Sequence, residues 1–182
     1  DENFDELQRM RSVVQLQPGE RRSCVGCHEV RSATPTSGHA VRAVARPAEP
    51  LTPPPWGPAA FDYERMVQPI LDSNCVRCHD GTRSETKLDL RGARGPDRVP
   101  ASYRSLITGG WVHYFDWHYG SRHFKAEPLT FGTRRSRLFQ ALTASQHATV
   151  ELKADELRAL KAWIDLNCPL WPDYVFRPER PS

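Results

Sequence analysis

Apolar positions recur at helical spacing in three stretches of this chain. Across residues 59–72 they are Phe61, Met66, Val67, Ile70 and Leu71, with Pro69 inside the run, which predicts a helix that the proline kinks or ends. Residues 134–144 carry Leu138, Phe139 and Leu142 on one side. Residues 154–167 give the clearest pattern, with Leu157, Leu160, Trp163 and Ile164 opposite a charged face and Pro169 as a stop. We expect Leu160 and Trp163 of this last helix to meet the helix over 61–71. Shorter elements lie between: an extended piece at 88–92, then a short helix or turn at 102–108. The acidic N-terminal ten residues suit a helix start, and 12–16 have β-branched, strand-like character. No apolar run is long enough to span a membrane.

Between these elements the chain is irregular. Residues 47–58 hold six prolines in twelve positions and predict an extended polyproline segment, a linker or a strap. Residues 109–131 are rich in aromatic side chains and histidine, and predict a loop wrapped on something flat and apolar. Sixteen prolines, eleven glycines and a hydrophobic fraction of 38% leave little for a self-sufficient core, and the mean hydropathy of -0.62 agrees. The expected organisation is residues 1–46 as a first segment, 47–58 as linker or strap, and 59–182 as a second domain. The net charge of +3 is dispersed, without the basic stripe that nucleic acid would need. The one tight cluster, Arg134, Arg135 and Arg137, reads as a solvated helix start, with an anion clamp or docking patch as the other reading.

Four of the five cysteines fall in one pattern used twice: Cys24-Val-Gly-Cys27-His28 and Cys75-Val-Arg-Cys78-His79. C-x-x-C-H is the attachment signature of a c-type haem. Two thiols three positions apart reach the two vinyl groups on one porphyrin edge, and the adjacent histidine supplies an axial nitrogen. A zinc site would want its cysteine pairs closer than the 47 residues between Cys27 and Cys75, and a thioredoxin-like site wants a βαβ setting. The sequence therefore predicts two covalently bound haem c groups, which would also provide apolar plates for a lean chain to pack on. The fold expected is mainly α, cytochrome c-like helices around both haems, with long irregular loops and the Pro-rich strap. Cys168 is left over and reads as a small buried thiol.

With His28 and His79 proximal, the second axial position decides what each iron does. His147, between two helices, is the candidate for the second haem. His118, amid the aromatics, and His39, close along the chain, lead for the first, with His113 and His123 behind. Met66 reads as core and Met10 precedes the first motif, so bis-histidine ligation is expected.

The segments PGERRSCVGCHE, VQPILDSNCVRCHDG, LDLRG, FGTRRSRLFQAL, HATVEL and LKAWIDLNCPLW follow one another in order. Together they resemble the dihaem C-terminal region of hydrazine synthase alpha-subunit-like proteins. That resemblance implies a mostly helical dihaem region and a haem-binding histidine at the position of His147. It also implies, in hydrazine synthase itself, a tyrosine ligand shortly after one motif histidine; residues 29–32 contain no tyrosine.

The function expected is a dihaem c-type cytochrome carrying electrons between redox partner proteins, located in the periplasm or outside the cell, where c-type haem is attached. The alternatives are a haem enzyme with one open iron, or a subunit of a haem-lined assembly, homo-oligomeric or larger.

Overall fold

The computed structural model describes residues 1–8, 15–20, 32, 46–47, 50, 52–82, 88–114 and 127–172. The chain divides into two compact units, one made of Asp1–Arg9 with Pro53–Ser182 and the other of Met10–Thr52. Most of the second unit lies outside the described residues. The first unit is helical with irregular connections and, among the described residues, no extended sheet: α1 is Tyr63–Met66, α2 Gln68–Asn74, α3 Ala101–Thr108, α4 Gly132–Arg135, α5 Arg137–Leu142, followed by a 3₁₀ turn at Ser145–His147, and α6 is Ala154–Asp165.

The helix expected over 59–72 is two helices. Asp62 starts α1 by accepting hydrogen bonds from the Glu64 and Arg65 amides. The break falls at Val67, and Pro69 sits in the first turn of α2, where its missing N–H is not needed. The helix expected over 134–144 is also split. Ser136 Oγ donates to Gly132 O at 2.8 Å and accepts from the His113 amide at 2.9 Å, so its hydroxyl competes with the helix ladder and separates α4 from α5.

Two further expectations are corrected. Residues 1–8 are not a helix: Phe4 has φ 58, and the Asp1 carboxylate accepts from the Asn3 and Asp5 amides. The described part of the Pro-rich stretch is a turn, closed by Gly57 N–H to Pro54 O at 2.9 Å with Gly57 at φ 76, and not an extended polyproline run. Trp56 then packs edge-on against Phe61, ring centres 5.1 Å apart. The strand-like stretch at 12–16, the middle of the aromatic loop and the tail after Trp171 lie wholly or partly outside the described residues.

The core forms where Trp163 of α6 packs against Tyr63 of α1. Trp163 and Tyr63 are fully buried, their ring centres 5.0 Å apart, and Tyr103 meets Tyr63 edge-on at 5.1 Å. Leu160, Ile164, Val67, Leu71, Leu106 and Leu138 complete it. The expected meeting of the last helix with the 61–71 region is observed. The α6 helix ends in two consecutive left-handed residues, Asn167 and Cys168, and the Cys168 side chain is buried in the core. Among the described residues no helix is long and apolar enough to cross a membrane.

Candidate haem pocket

The second C-x-x-C-H motif continues directly from α2. Cys75 N–H donates to Leu71 O at 2.8 Å, and both Cys78 N–H and His79 N–H donate to Cys75 O at 3.0 Å. The motif is thus one tight turn, which brings the two thiols to the same side with His79 beside them. Cys75 is half-buried and Cys78 exposed. Burial pushes the Cys75 thiol up to about 11, with Cys78 and Glu156 adding to the effect. Thiol redox centres need a lowered thiol pKa, so the environment of Cys75 opposes that chemistry.

The chain after the motif is pinned back on it. Leu90 N–H donates to His79 O at 2.8 Å, and Asp80 and Asp89 form an antiparallel bridge. Gly81 takes φ 76 at the turn, where an added Cβ would lie 2.9 Å from the Asp89 side chain. Leu88 and Leu90 consequently line the cavity as alternate residues of an extended segment, while Asp89 and Arg91 form a two-bond ion pair at 2.9 and 2.7 Å. The same arginine contact holds the Asp89 carboxyl below the usual carboxylate range.

A cavity of about 430 Å³ opens against this motif. Cys75, Cys78 and His79 line it with Leu88, Leu90, Trp111, Leu138, Leu142 and Val150, and His147 is also in its wall. The His79 and His147 ring centres are 6.0 Å apart and their planes differ by 22°. Two imidazoles bound to opposite sides of one metal, each through a bond of about 2 Å, have ring centres about 6 Å apart. His147 Nδ1 lies 2.9 Å from Ala141 O, which can only accept, so Nδ1 carries the hydrogen and Nε2 keeps its lone pair. Two thiols and a histidine on one turn, a second histidine with its ring centre 6.0 Å from the first, and a largely apolar lining fit a covalently held porphyrin. A bare ion is a poorer match, since no group of three His, Cys, Asp or Glu among the described residues could hold one.

His113 has the opposite character. Its Nδ1 accepts from the Gly132 amide at 3.2 Å, so in the neutral ring Nε2 bears the hydrogen. Burial, then the nearby Arg135 charge, lowers its pKa. It is a packing histidine of the α4 start. Of the arginine cluster, Arg134 lies 3.6 Å from Asp5, and Arg137 stacks over Trp111 at 4.5 Å. The remaining predicted site residues, Cys24, Cys27, His28, His39 and His118, lie outside the described residues, as does His123. Sequence reasoning missed Ala141, whose carbonyl sets the His147 tautomer, because a backbone acceptor leaves no residue-type signal.

The pocket is that of a small helical body with two thiols and two imidazoles around an apolar cavity. A family model described as the hydrazine synthase alpha subunit middle domain matches residues 1–29, which relates that stretch, with the first C-x-x-C-H at its end, to the family. No curated protein and no solved structure matches the chain.

Proposed function

We propose that this chain is a dihaem c-type cytochrome that passes electrons between redox partner proteins outside the cytoplasmic membrane. The second haem is held by thioethers to Cys75 and Cys78 and ligated by His79 and His147, within a cytochrome c-like arrangement in which α2 leads into the motif and α6 packs against α1. The first haem is held by Cys24, Cys27 and His28, with His118 or His39 as its other ligand. One observation supports the reading: the His79 and His147 ring centres are 6.0 Å apart and both rings line the cavity that the two thiols also line. A bound haem c would supply one-electron chemistry there; His79 and His147 would hold its iron, and the leucine, tryptophan and valine side chains would exclude water. Two nitrogen ligands at the second iron would favour electron transfer over catalysis at that haem, because substrate needs an open position.

The test is a mass measurement on the chain expressed with a cytochrome c maturation system. The expected result is the mass of the polypeptide plus two haems, with haem-bearing peptides at both motifs. A chain with no haem at 75–79 contradicts the reading.

A further inference from the structure

We infer that Gln68 is the positioning residue of the proximal side of this pocket: its carboxamide, oriented by Ser102, fixes the Leu90 wall and through it the His79 turn, with Tyr63 bonded only to the far side of Ser102. The inference rests on the haem reading above. Gln68 is 7% exposed and Ser102 and Tyr63 are fully buried, yet every polar atom of the three is used. Gln68 Nε2 donates to Leu90 O at 3.0 Å and to Asp72 Oδ1 at 2.8 Å; Ser102 Oγ donates to Gln68 Oε1 at 2.5 Å; Tyr63 OH donates to Ser102 Oγ at 2.9 Å.

The direction of this chain is forced. Leu90 O can only accept, so the amide nitrogen must face it. The amide oxygen must then face Ser102, whose single hydrogen points to it, and Tyr63 must donate to Ser102. Nothing in the network can invert without leaving a buried group unpaired, which is costly. Its far end is Leu90, which lines the cavity and donates its own N–H to His79 O at 2.8 Å. Gln68 lies in the same short helix that runs into Cys75. One side chain therefore ties the helix before the motif to the extended segment after it, across the turn that presents the thiols and His79. Two neighbours accommodate this. A Cβ at Gly92 would come within 3.2 Å of the Gln68 side chain. Arg91 O accepts from the Ser102 amide at 3.0 Å, fixing α3 to the same extended segment.

A buried polar chain of this kind is no more stabilising than well-packed apolar residues but specifies one arrangement. The substitution Gln68→Met keeps the volume and removes the link. In the dihaem holoprotein we expect Gln68→Met to exchange the Leu90 amide about tenfold faster or more, and to shift the g values and midpoint potential of one haem only. Gly92→Ala, which crowds the carboxamide from outside, gives the same shifts to a smaller degree and serves if Gln68→Met does not fold. Tyr63→Phe removes only the remote end, and is expected to lower stability while leaving g values and potential unchanged. Unchanged spectra and potential in haem-loaded Gln68→Met and Gly92→Ala overturn the inference. So do equal shifts in Tyr63→Phe, since the network would then act only through overall stability. Absence of haem at 75–79 in the wild-type chain would instead overturn the haem reading itself.

Discussion

Two histidines in this body differ in one hydrogen bond, and that bond assigns their roles. His147 gives its Nδ1 hydrogen to Ala141 O, which suits Nε2 to the ligand role proposed for it, whereas His113 uses Nδ1 to accept from the Gly132 amide. Replacing His147 with alanine should therefore turn one haem high-spin and allow one carbon monoxide per chain after reduction, read by absorption and EPR. The same substitution at His113 should leave both haems low-spin. His113 should matter for acid stability instead. Burial lowers its pKa in the fold, so the unfolded chain binds the proton more readily. Its contribution is present above the ordinary histidine value of about 6.5 and is lost as pH falls below it. In His113→Asn, which retains an acceptor for the Gly132 amide, denaturant melts should show a smaller loss of stability between neutral and mildly acidic pH than the parent.

Among the elements, the N-terminal segment and α6 depend on one another. Lys161 is a buried lysine whose ammonium lies 2.7 Å from Asp5 and donates to Asn3 O at 2.7 Å. Phe4 lies under Arg158 at 4.0 Å, and Leu129 N–H donates to Leu7 O. Asp5→Ala strands the buried ammonium and should cost about 3 kcal/mol in equilibrium unfolding. Adding Lys161→Met to that variant should recover most of the loss, because an apolar side chain of similar length needs no partner. At the start of α4, Gly132 has φ 57 and an added Cβ would strike Asp165 Oδ1, the group that accepts from the Thr133 amide. Gly132→Ala should therefore lower stability by more than the roughly 1 kcal/mol of an ordinary left-handed glycine replacement.

These elements also show what could be read in advance. Periodicity located α6 and its partner because Trp163 and Leu160 recur on one face, and burial follows that face. It did not locate the breaks at Val67 and Ser136, which are set by a cap, a proline in a first turn and a hydroxyl that bonds sideways. The acidic start misled for residues 1–8, which Asp1 turns locally and Lys161, more than 150 positions away, holds through Asn3 O. The thiols and His79 were legible from their spacing alone. His147 was already the sequence's candidate partner for His79; the fold adds their 6.0 Å ring separation. The Gln68 network needed the fold, since a glutamine in a helix carries no sign of its partners.

At the scale of the whole molecule, the family-matched stretch 1–29 is shared between the two units, its first nine residues packing with the body that holds the second motif. The Met10–Thr52 unit contains the first motif. On the proposed dihaem reading a lean chain should gain much of its order from the haems, so the form lacking haem should unfold at far lower denaturant than the loaded form. The near-parallel His79 and His147 rings, 22° apart, further predict a rhombic low-spin spectrum for the second haem, without the very large g value of crossed imidazoles.

Whether the irons are closed decides between electron transfer and catalysis. The most direct measurement is EPR of the ferric dihaem protein, followed by carbon monoxide addition after reduction. Two low-spin haems, one of them rhombic, with no carbon monoxide adduct, are the result expected of an electron carrier ligated by His79 and His147. A high-spin signal with carbon monoxide bound at the second haem would contradict it and make catalysis at an open iron the better description.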